Sequence, residues 1–212
     1  MKVTLLAITK PTLAAEQLGI TDPDLMIEYA ARLCYNSTDK LGKAPGFVMA
    51  RIREGHEDVI EHCSASFLVE GISRTATHQL VRHRLASFSQ ESQRYVDQRK
   101  LDNDLVVIPD SILNNQEALE HFNVLVYHSL DVYDDLRNLG IPKEDARFTM
   151  LEGTKSRLVV SMNFRSWRHF LWLRLDKAAQ WEIRKVAHEI LKVLYTEAPK
   201  TFQDIWDVYG DK

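Results

Sequence analysis

Residues 62–83 have the sequence HCSASFLVEGISRTATHQLVRH, and their hydrophobic pattern changes at Gly71. Before Gly71, apolar side chains alternate with polar ones, which is the pattern of a half-buried strand. The apolar positions are Cys63, Ala65, Phe67 and Val69. After Gly71, the segment 72–83 has the composition and spacing of a helix. A strand followed directly by a helix favours a mixed α/β protein.

The rest of the chain continues this alternation of strands and helices. Further strands are predicted over 3–9 and 157–163, with an extended segment over 87–95. Helices are predicted over 22–35, 46–55, 116–138, 142–147, 165–173 and 178–197. The chain has no internal repeat, no low-complexity stretch and no Pro/Gly/Ser-rich linker. We therefore expect an α/β fold of the mixed α+β kind, with residues 1–212 forming a single domain.

The overall composition is that of a globular protein. Of the 212 residues, 45% are hydrophobic and 27% are charged. No apolar run approaches the roughly 18 residues of a membrane-spanning helix, and the N-terminal segment has no small-residue cleavage site. Cys34 and Cys63 are too few for a disulfide framework and form no CxxC pair. We expect a cytoplasmic protein with no membrane partner.

Positive charge is concentrated in two segments of an acidic chain. The net charge is −3, yet residues 72–99 carry five arginines against Glu91 and Asp97. Residues 156–185 carry seven Lys and Arg against two acidic residues. Such a distribution favours binding of small anions at a site over wrapping of a polyanion. The alternative is a nucleic-acid-binding module that uses the same Arg-rich segments.

Several familiar motifs are absent from the sequence. There is no GxGxxG, no GxxxxGK[ST] and no GxSxG. His56 and His62 in HEDVIEH are six positions apart, about 240° around a helix, so they do not share a face as the HExxH zinc motif requires. We therefore expect no metal site, no Rossmann or P-loop nucleotide site and no Ser-His-Asp hydrolase.

Residues 79–95, QLVRHRLASFSQESQRY, are rich in side chains that can bind a phosphate or a nucleobase. Arginine offers an always-charged planar fork for phosphate, serine adds a hydroxyl, and glutamine can pair with the edge of a base. On an extended chain beyond Ala86, the side chains of Gln90, Ser92 and Arg94 share one side. This combination favours a nucleotide-binding segment.

The same segment resembles a known family. Arg82-His83-Arg84, seven further residues and then Ser92 match the RHRX7S signature of the flavin-dependent (alternative) thymidylate synthases. HEDVIEH is similar to the family's HxxxxEH segment upstream. The resemblance continues downstream in the family's order, through Arg147, Asn163-Phe164-Arg165-Ser166, His169, Arg174 and Gln180-Trp181-Glu182-Ile183.

The resemblance implies a central sheet flanked by helices and a homotetramer whose sites are shared between subunits. It implies that the chain binds FAD and converts dUMP to dTMP. Methylenetetrahydrofolate supplies the one-carbon unit and leaves as tetrahydrofolate, and NADPH reduces the flavin. No nucleic acid takes part.

The resemblance also assigns residues to ligands. Arg174 is the catalytic residue, which favours ionisation of the pyrimidine at N3. The dUMP-binding residues are Gln79, Leu80, Val81, Arg82, Gln90, Glu91, Ser92, Gln93, Arg94, Arg147 and Arg174. The FAD-binding residues are Asp58, Arg82, His83, Arg84, Gln90, Asn163, Phe164, Arg165 and His169.

Physical chemistry agrees with these roles and leaves some of them open. FAD carries two phosphates and dUMP carries one, so several arginines are needed to bind them. An arginine also keeps its proton while it stabilises the negative charge that develops on uracil. Arg165 and His169 are spaced to share one helical face. Asp58 stands where a Ser or Thr often binds flavin, so its contact with FAD stays open. Gln90 cannot ionise, so no carboxylate base can act there.

Overall fold

The computed structural model describes residues 1–97 and 105–210. Within these ranges the strands are β1 (Lys2–Ile8), β2 (Ser64–Ser73), β3 (Ser87–Gln90) and β4 (Lys155–Asn163). The α-helices are α1 (Leu13–Glu16), α2 (Pro23–Leu33), α3 (Phe47–Arg53), α4 (Arg74–Leu80), α5 (Asp110–Leu113), α6 (Gln116–Asn138), α7 (Lys143–Ala146), α8 (Phe164–Leu175), α9 (Trp181–Glu197) and α10 (Pro199–Tyr209). Short 3₁₀ segments cover Thr38–Lys40, Glu57–His62 and Arg147–Thr149.

The strands form one sheet in the order β1-β2-β4-β3. The predicted α/β fold is confirmed, and most predicted elements are present near their expected bounds. None of the helices within residues 1–97 and 105–210 is both long and apolar enough to cross a membrane.

The chain divides into two compact units, which we describe separately. The first unit comprises Met1–Lys2, Glu70–Val81 and Ser89–Leu158. The second unit comprises Val3–Val69, Arg82–Phe88 and Val159–Lys212. The assignment of residues 1–212 to a single domain stays a prediction.

The core of the second unit lies between β2 and α8. The alternating face of β2 is buried as predicted, and Cys63 and Phe67 are both fully inaccessible. Phe67 meets Trp167 of α8 edge to face at 5.2 Å between ring centroids, and Trp167 Nε1 donates to the Ala65 carbonyl at 3.0 Å. Helix α9 packs on α8 and α10, which buries Phe202. Trp167 is thus a core residue.

The first unit is built around α6. The Asn115 side chain caps this helix by accepting from the Ala118 N–H at 3.1 Å, and Gly140 ends it with a positive φ of 84°. The predicted bounds 116–138 are therefore confirmed. Ser129 Oγ donates to the Thr149 carbonyl at 2.6 Å and links α6 to the 3₁₀ segment that follows α7.

Two predictions about local structure are wrong. The segment 87–95 is extended only as far as Gln90, because the chain turns at Ser92, whose carbonyl accepts from the N–H groups of Tyr95 (3.0 Å) and Val96 (2.9 Å). Consequently Gln90, Ser92 and Arg94 do not alternate along one strand. The second error is a helix, α10, that the sequence pattern did not predict.

Candidate functional site

The second unit contains an open cavity of about 1230 Å³. Its walls come from α8, from the segment after Arg82 and from the 3₁₀ segment Glu57–His62. The lining residues are Glu57, Glu61, Arg82, His83, Arg84, Leu85, Met162, Asn163, Arg165, Ser166, Arg168, His169, Trp172, Leu173 and Arg174. Seven of the predicted site residues therefore line one cavity: Arg82, His83, Arg84, Asn163, Arg165, His169 and Arg174.

The start of α8 sets the direction of the side chains that enter the cavity. Asn163 caps the helix, because its Oδ1 accepts from the Ser166 N–H at 2.8 Å. One turn of helix then separates Arg165 from His169, and both side chains are exposed in the cavity wall. The opposite face of α8 carries Trp167, which is buried. Arg165 and His169 thus lie on the same face of α8, as predicted.

Arg165 is held by two carboxylates at the mouth of the cavity. Its Nη1 donates to Glu61 Oε1 at 2.6 Å, and its Nε lies 3.3 Å from Glu57 Oε2. These contacts raise the pKa of Arg165, with the Glu61 hydrogen bond as the largest cause. All three side chains are about half exposed, so each ion pair contributes no more than about 1 kcal/mol. A ligand phosphate can therefore replace the carboxylates at small cost.

His83 and Arg174 form a hydrogen bond in the cavity wall. Arg174 Nε donates to His83 Nε2 at 2.9 Å. Since an arginine can only donate, Nε2 carries no proton, and the neutral ring has its proton on Nδ1. His83 is buried and meets Phe170 edge to face at 5.1 Å. Burial lowers the pKa of His83 to about 4, with smaller contributions from the charges of Arg174 and His169.

Arg174 itself lies in a positively charged environment. Partial burial lowers its pKa, and the charge of Arg82 lowers it further. An arginine remains protonated despite such a shift. Its guanidinium group is therefore a fixed positive charge that can stabilise negative charge on a ligand.

The remaining predicted residues of the Arg-rich segment lie in the first unit. Arg94 Nε is 2.6 Å from Glu144 Oε2, and Arg147 Nε donates to the Glu144 carbonyl at 3.1 Å. Glu144 thus contacts both of these predicted dUMP-binding residues. Glu91 pairs with Arg157 at 2.7 Å, and Ser92 Oγ accepts from the Arg94 N–H at 3.3 Å.

Four further predicted residues also lie in the first unit: Gln79, Leu80, Val81 and Gln93. Leu80 is fully buried at the end of α4, so it can offer a ligand only its backbone. Val81 follows it and is exposed, whereas Gln79 and Gln93 are half-buried.

Three of the FAD residues implied by the resemblance do not line the cavity: Asp58, Phe164 and Gln90, the last of which lies in the first unit. The Phe164 side chain is fully buried against Phe202, with ring centroids 5.2 Å apart. A ligand could meet only its backbone. Asp58 is exposed and is not among the lining residues. All three assignments stay predictions.

Other lining residues were not predicted. Glu57 and Glu61 belong to the HxxxxEH-like segment, which was the available signal for both. Arg168 is buried and forms a two-pronged ion pair with Asp204, both contacts at 2.7 Å, a partner that local sequence does not reveal. Trp172 lines the cavity while it meets Tyr209 edge to face at 5.8 Å.

The donors in the cavity fit a phosphate-bearing cofactor such as FAD. Five arginines and two glutamates line it, and His83 and Asn163 add neutral polar groups. Guanidinium groups suit a pyrophosphate, and a cavity of this volume suits a large ligand. Among the described residues, no group of three or more His, Cys, Asp or Glu side chains is arranged to hold a metal ion. The fold is that of an α/β protein, and the excess of arginine in the cavity suits an anionic ligand.

Comparisons with known proteins give the family. The model of the family "Thymidylate synthase complementing protein" matches residues 17–200. The chain is 41% identical over 191 residues to the flavin-dependent thymidylate synthase of Geobacter sulfurreducens, covering 86% of this chain and 82% of that protein. It is 36% identical over 226 residues to the one of Mycolicibacterium vanbaalenii, covering 96% and 89%.

A solved structure shares the fold over almost the whole chain. Thymidylate Synthase X from Helicobacter pylori, crystallised with FAD and dUMP, superposes with a TM-score of 0.75 at 25% identity and covers 97% of this chain and 98% of its own. The chain therefore belongs to the thymidylate synthase complementing protein family, in which these relatives are flavin-dependent thymidylate synthases. The resemblance seen in the RHRX7S segment is confirmed.

Proposed function

We propose that this chain is a flavin-dependent thymidylate synthase. It methylates dUMP to dTMP with methylenetetrahydrofolate as the one-carbon donor, releases tetrahydrofolate, and uses FAD that NADPH reduces. The observation that carries the proposal is the arginine-lined cavity, where Arg174 lies beside a neutral His83. Family membership and relatives that bear this activity in their names support it.

FAD is the cofactor that we assign to this cavity. Arg82, Arg84 and Arg165 are the proposed partners of its phosphates, since all three are exposed in the cavity wall. His83, Asn163, Phe164 and His169 are further proposed FAD contacts, as are Gln90 and Asp58. When bound, FAD supplies the redox chemistry that side chains cannot provide.

The substrate residues act by holding charge and by fixing orientation. Arg94 and Arg147, joined through Glu144, are proposed to bind the dUMP phosphate, and Ser92 donates a hydroxyl hydrogen bond. The other proposed dUMP residues are Gln79, Leu80, Val81, Arg82, Gln90, Glu91 and Gln93. Arg174 keeps its proton and stabilises the negative charge that grows on uracil as N3 ionises. This charge makes C5 a better nucleophile toward the one-carbon unit.

Covalent catalysis by the core cysteine does not fit its surroundings. Burial raises the pKa of the Cys63 thiol to about 12, and the charges of Asp24 and Asp22 add to the effect. A thiol with this pKa holds almost no thiolate at neutral pH, and the thiolate is the nucleophile. The proposed mechanism therefore uses Arg174 and no protein nucleophile.

The assembly and location are also proposals. We propose a homotetramer with sites shared between subunits, and a cytoplasmic protein. Val124, Leu125 and Tyr127 on α6 are exposed, which supports a subunit contact on that helix. The absence of a disulfide between Cys34 and Cys63 supports a reducing compartment.

Reconstitution tests the proposal directly. The purified protein is expected to take up FAD, to show flavin absorbance, and to form dTMP only when dUMP, methylenetetrahydrofolate and NADPH are all present. Oxidation of NADPH should depend on dUMP. A protein that binds no FAD and forms no dTMP would overturn the proposed function. Within the described residues, no observation favours the nucleic-acid-binding alternative.

A further inference from the structure

Three arginines in the wall of the second unit's cavity donate to acceptors of different charge. Arg165 donates to the Glu61 carboxylate at 2.6 Å, and Arg168 forms two contacts of 2.7 Å with the Asp204 carboxylate. Arg174 differs, because the acceptor that its Nε–H reaches is a neutral imidazole. A carboxylate cancels part of the charge of the guanidinium group that it orients, whereas an uncharged acceptor orients the group and leaves its charge in place.

The acceptor is His83, and neighbouring side chains hold its ring. His83 is buried, and its ring meets the fully buried Phe170 edge to face at 5.1 Å. It also meets the ring of His169 at 6.0 Å with an angle of 68° between the planes. A buried ring packed in this way has few orientations open to it, so Nε2 offers its lone pair at a fixed point.

A fixed acceptor at Nε limits the directions that the whole Arg174 guanidinium can take. The five N–H groups of a guanidinium lie in one rigid plane, so holding Nε 2.9 Å from His83 Nε2 also orients the two terminal NH₂ groups. Arg174 is only half-buried, and a long side chain at such a position otherwise keeps much of its rotamer freedom. The contact with His83 therefore reduces the freedom of the group that must meet a ligand.

The pKa values of two cavity arginines differ as their partners do. The hydrogen bond to Glu61 raises the pKa of Arg165, whereas burial and then the charge of Arg82 lower the pKa of Arg174. A carboxylate at position 83 would orient Arg174 as well as an imidazole does, but it would weaken the positive field at a ligand.

We propose that His83 is a positioning residue for Arg174, in which the unprotonated Nε2 fixes the direction of the guanidinium group and the neutral ring leaves its positive charge to act on uracil. This inference rests on the proposed function, in which Arg174 favours ionisation of dUMP at N3. It gives His83 a role toward another side chain, separate from any contact with the cofactor. Both parts of the role, the acceptor and its neutrality, can be removed one at a time.

Substitutions at position 83 separate the two parts. H83Q and H83E have side chains of nearly the same size, and both offer an oxygen acceptor, but H83E adds a negative charge. H83L offers no acceptor. The matched controls are H188Q and H188E, since His188 is a half-buried histidine of α9 that is not among the residues lining the cavity.

Three readouts distinguish positioning from a merely structural role. The Kd for FAD is measured for each variant, and kcat and KM for dUMP are then determined at saturating FAD. The N3 ionisation of bound 5-fluoro-dUMP is followed by ¹⁹F NMR as the pH is raised, which requires no turnover. The ¹⁵N spectrum of wild-type protein gives the tautomer of His83, with its signals assigned by their loss in H83Q.

We expect H83Q to keep kcat within about threefold of wild type, and H83E and H83L each to lose at least about tenfold. The N3 pKa of bound 5-fluoro-dUMP should be higher in H83E than in H83Q by about one unit, because the added carboxylate opposes a second negative charge nearby. Both H188 variants should match wild type. In wild type, the His83 proton should reside on Nδ1.

Equal kcat and equal N3 pKa in H83Q and H83E would overturn the inference, because neutrality would then have no effect. Equal values in H83Q and H83L would overturn it as well, since the acceptor would not be needed. A wild-type His83 with its proton on Nε2 would contradict it without any variant. The proposed function is judged separately, by dTMP formation in the wild type.

Discussion

The arginines of the two units differ in their surroundings. In the cavity of the second unit, Arg165 and Arg168 pair with carboxylates, whereas Arg82 adds like charge beside Arg174. In the first unit, Arg94 and Arg157 each lie within 2.7 Å of a carboxylate oxygen. The first arrangement keeps an excess of positive charge where a ligand can reach it. The second fixes side chains in place and leaves little net charge, so the two regions should respond differently to substitution.

The largest effect is expected at Arg174. Arg174→Ala removes the fixed charge that stabilises ionised uracil, so dTMP formation should fall by at least about 100-fold while folding and FAD binding remain largely intact. Steady-state kinetics and a flavin titration measure the two quantities. Arg53→Ala, an exposed arginine on α3, is the control and should keep wild-type activity. Normal turnover by Arg174→Ala would refute its role.

Lowering the pH should reduce the free energy of unfolding, because His83 is neutral in the folded protein. The unfolded chain protonates this residue near pH 6.5, whereas the folded protein does so only near 4. Between these values the unfolded state binds more protons, so the free energy of unfolding should fall as the pH drops, by at most about 3 kcal/mol. Urea unfolding at several pH values measures this, with His83→Gln as comparison. Parallel curves for the two proteins would contradict the neutral assignment.

Ser92 probes the segment of the first unit that is fixed by internal contacts. Ser92→Ala removes one proposed hydrogen bond to substrate and the acceptor for the Arg94 N–H, so dUMP binding should weaken by about 1–2 kcal/mol. Calorimetric titration with dUMP gives the value. The exposed Ser89, changed to alanine, serves as the control. An unchanged dissociation constant would remove Ser92 from the site.

The smallest effect is expected at Glu144. Glu144→Gln removes the carboxylate from an ion pair that is about half exposed, so the dissociation constant for dUMP should rise by no more than about fivefold. The dependence of dUMP binding on salt should steepen at the same time, because Arg94 loses an internal anion. A change above about tenfold would mean that Glu144 contacts the substrate itself.

Local sequence signals predicted the helices whose first and last residues are fixed by capping residues next to them in the sequence. The bounds of α6 follow from Asn115 and Gly140, which stand in the sequence beside the helix they limit. Helix α10 has no such cap before it. One backbone N–H and one hydroxyl of its first turn are satisfied by Asp24, which accepts from the Lys200 N–H at 2.8 Å and from Thr201 Oγ1 at 2.5 Å. Pro199 at the first position of α10 is a local start signal, but the acceptor Asp24 lies about 175 residues away and leaves no local pattern.

The candidate site likewise has features that the sequence predicted and features that only the structure shows. The family signature and the helical spacing of Arg165 and His169 led to residues that do share a cavity. The tautomer of His83 follows from its contact with Arg174, which only the folded chain brings within hydrogen-bonding distance. Sequence therefore predicted seven of the residues that line the cavity, whereas proton positions required the structure.

A crystal structure of the protein with both FAD and dUMP tests the central claim most directly. We expect the FAD pyrophosphate among Arg82, Arg84 and Arg165, and the uracil ring beside the Arg174 guanidinium. Electron density for either compound away from these arginines, with the cavity filled by solvent, would contradict the account.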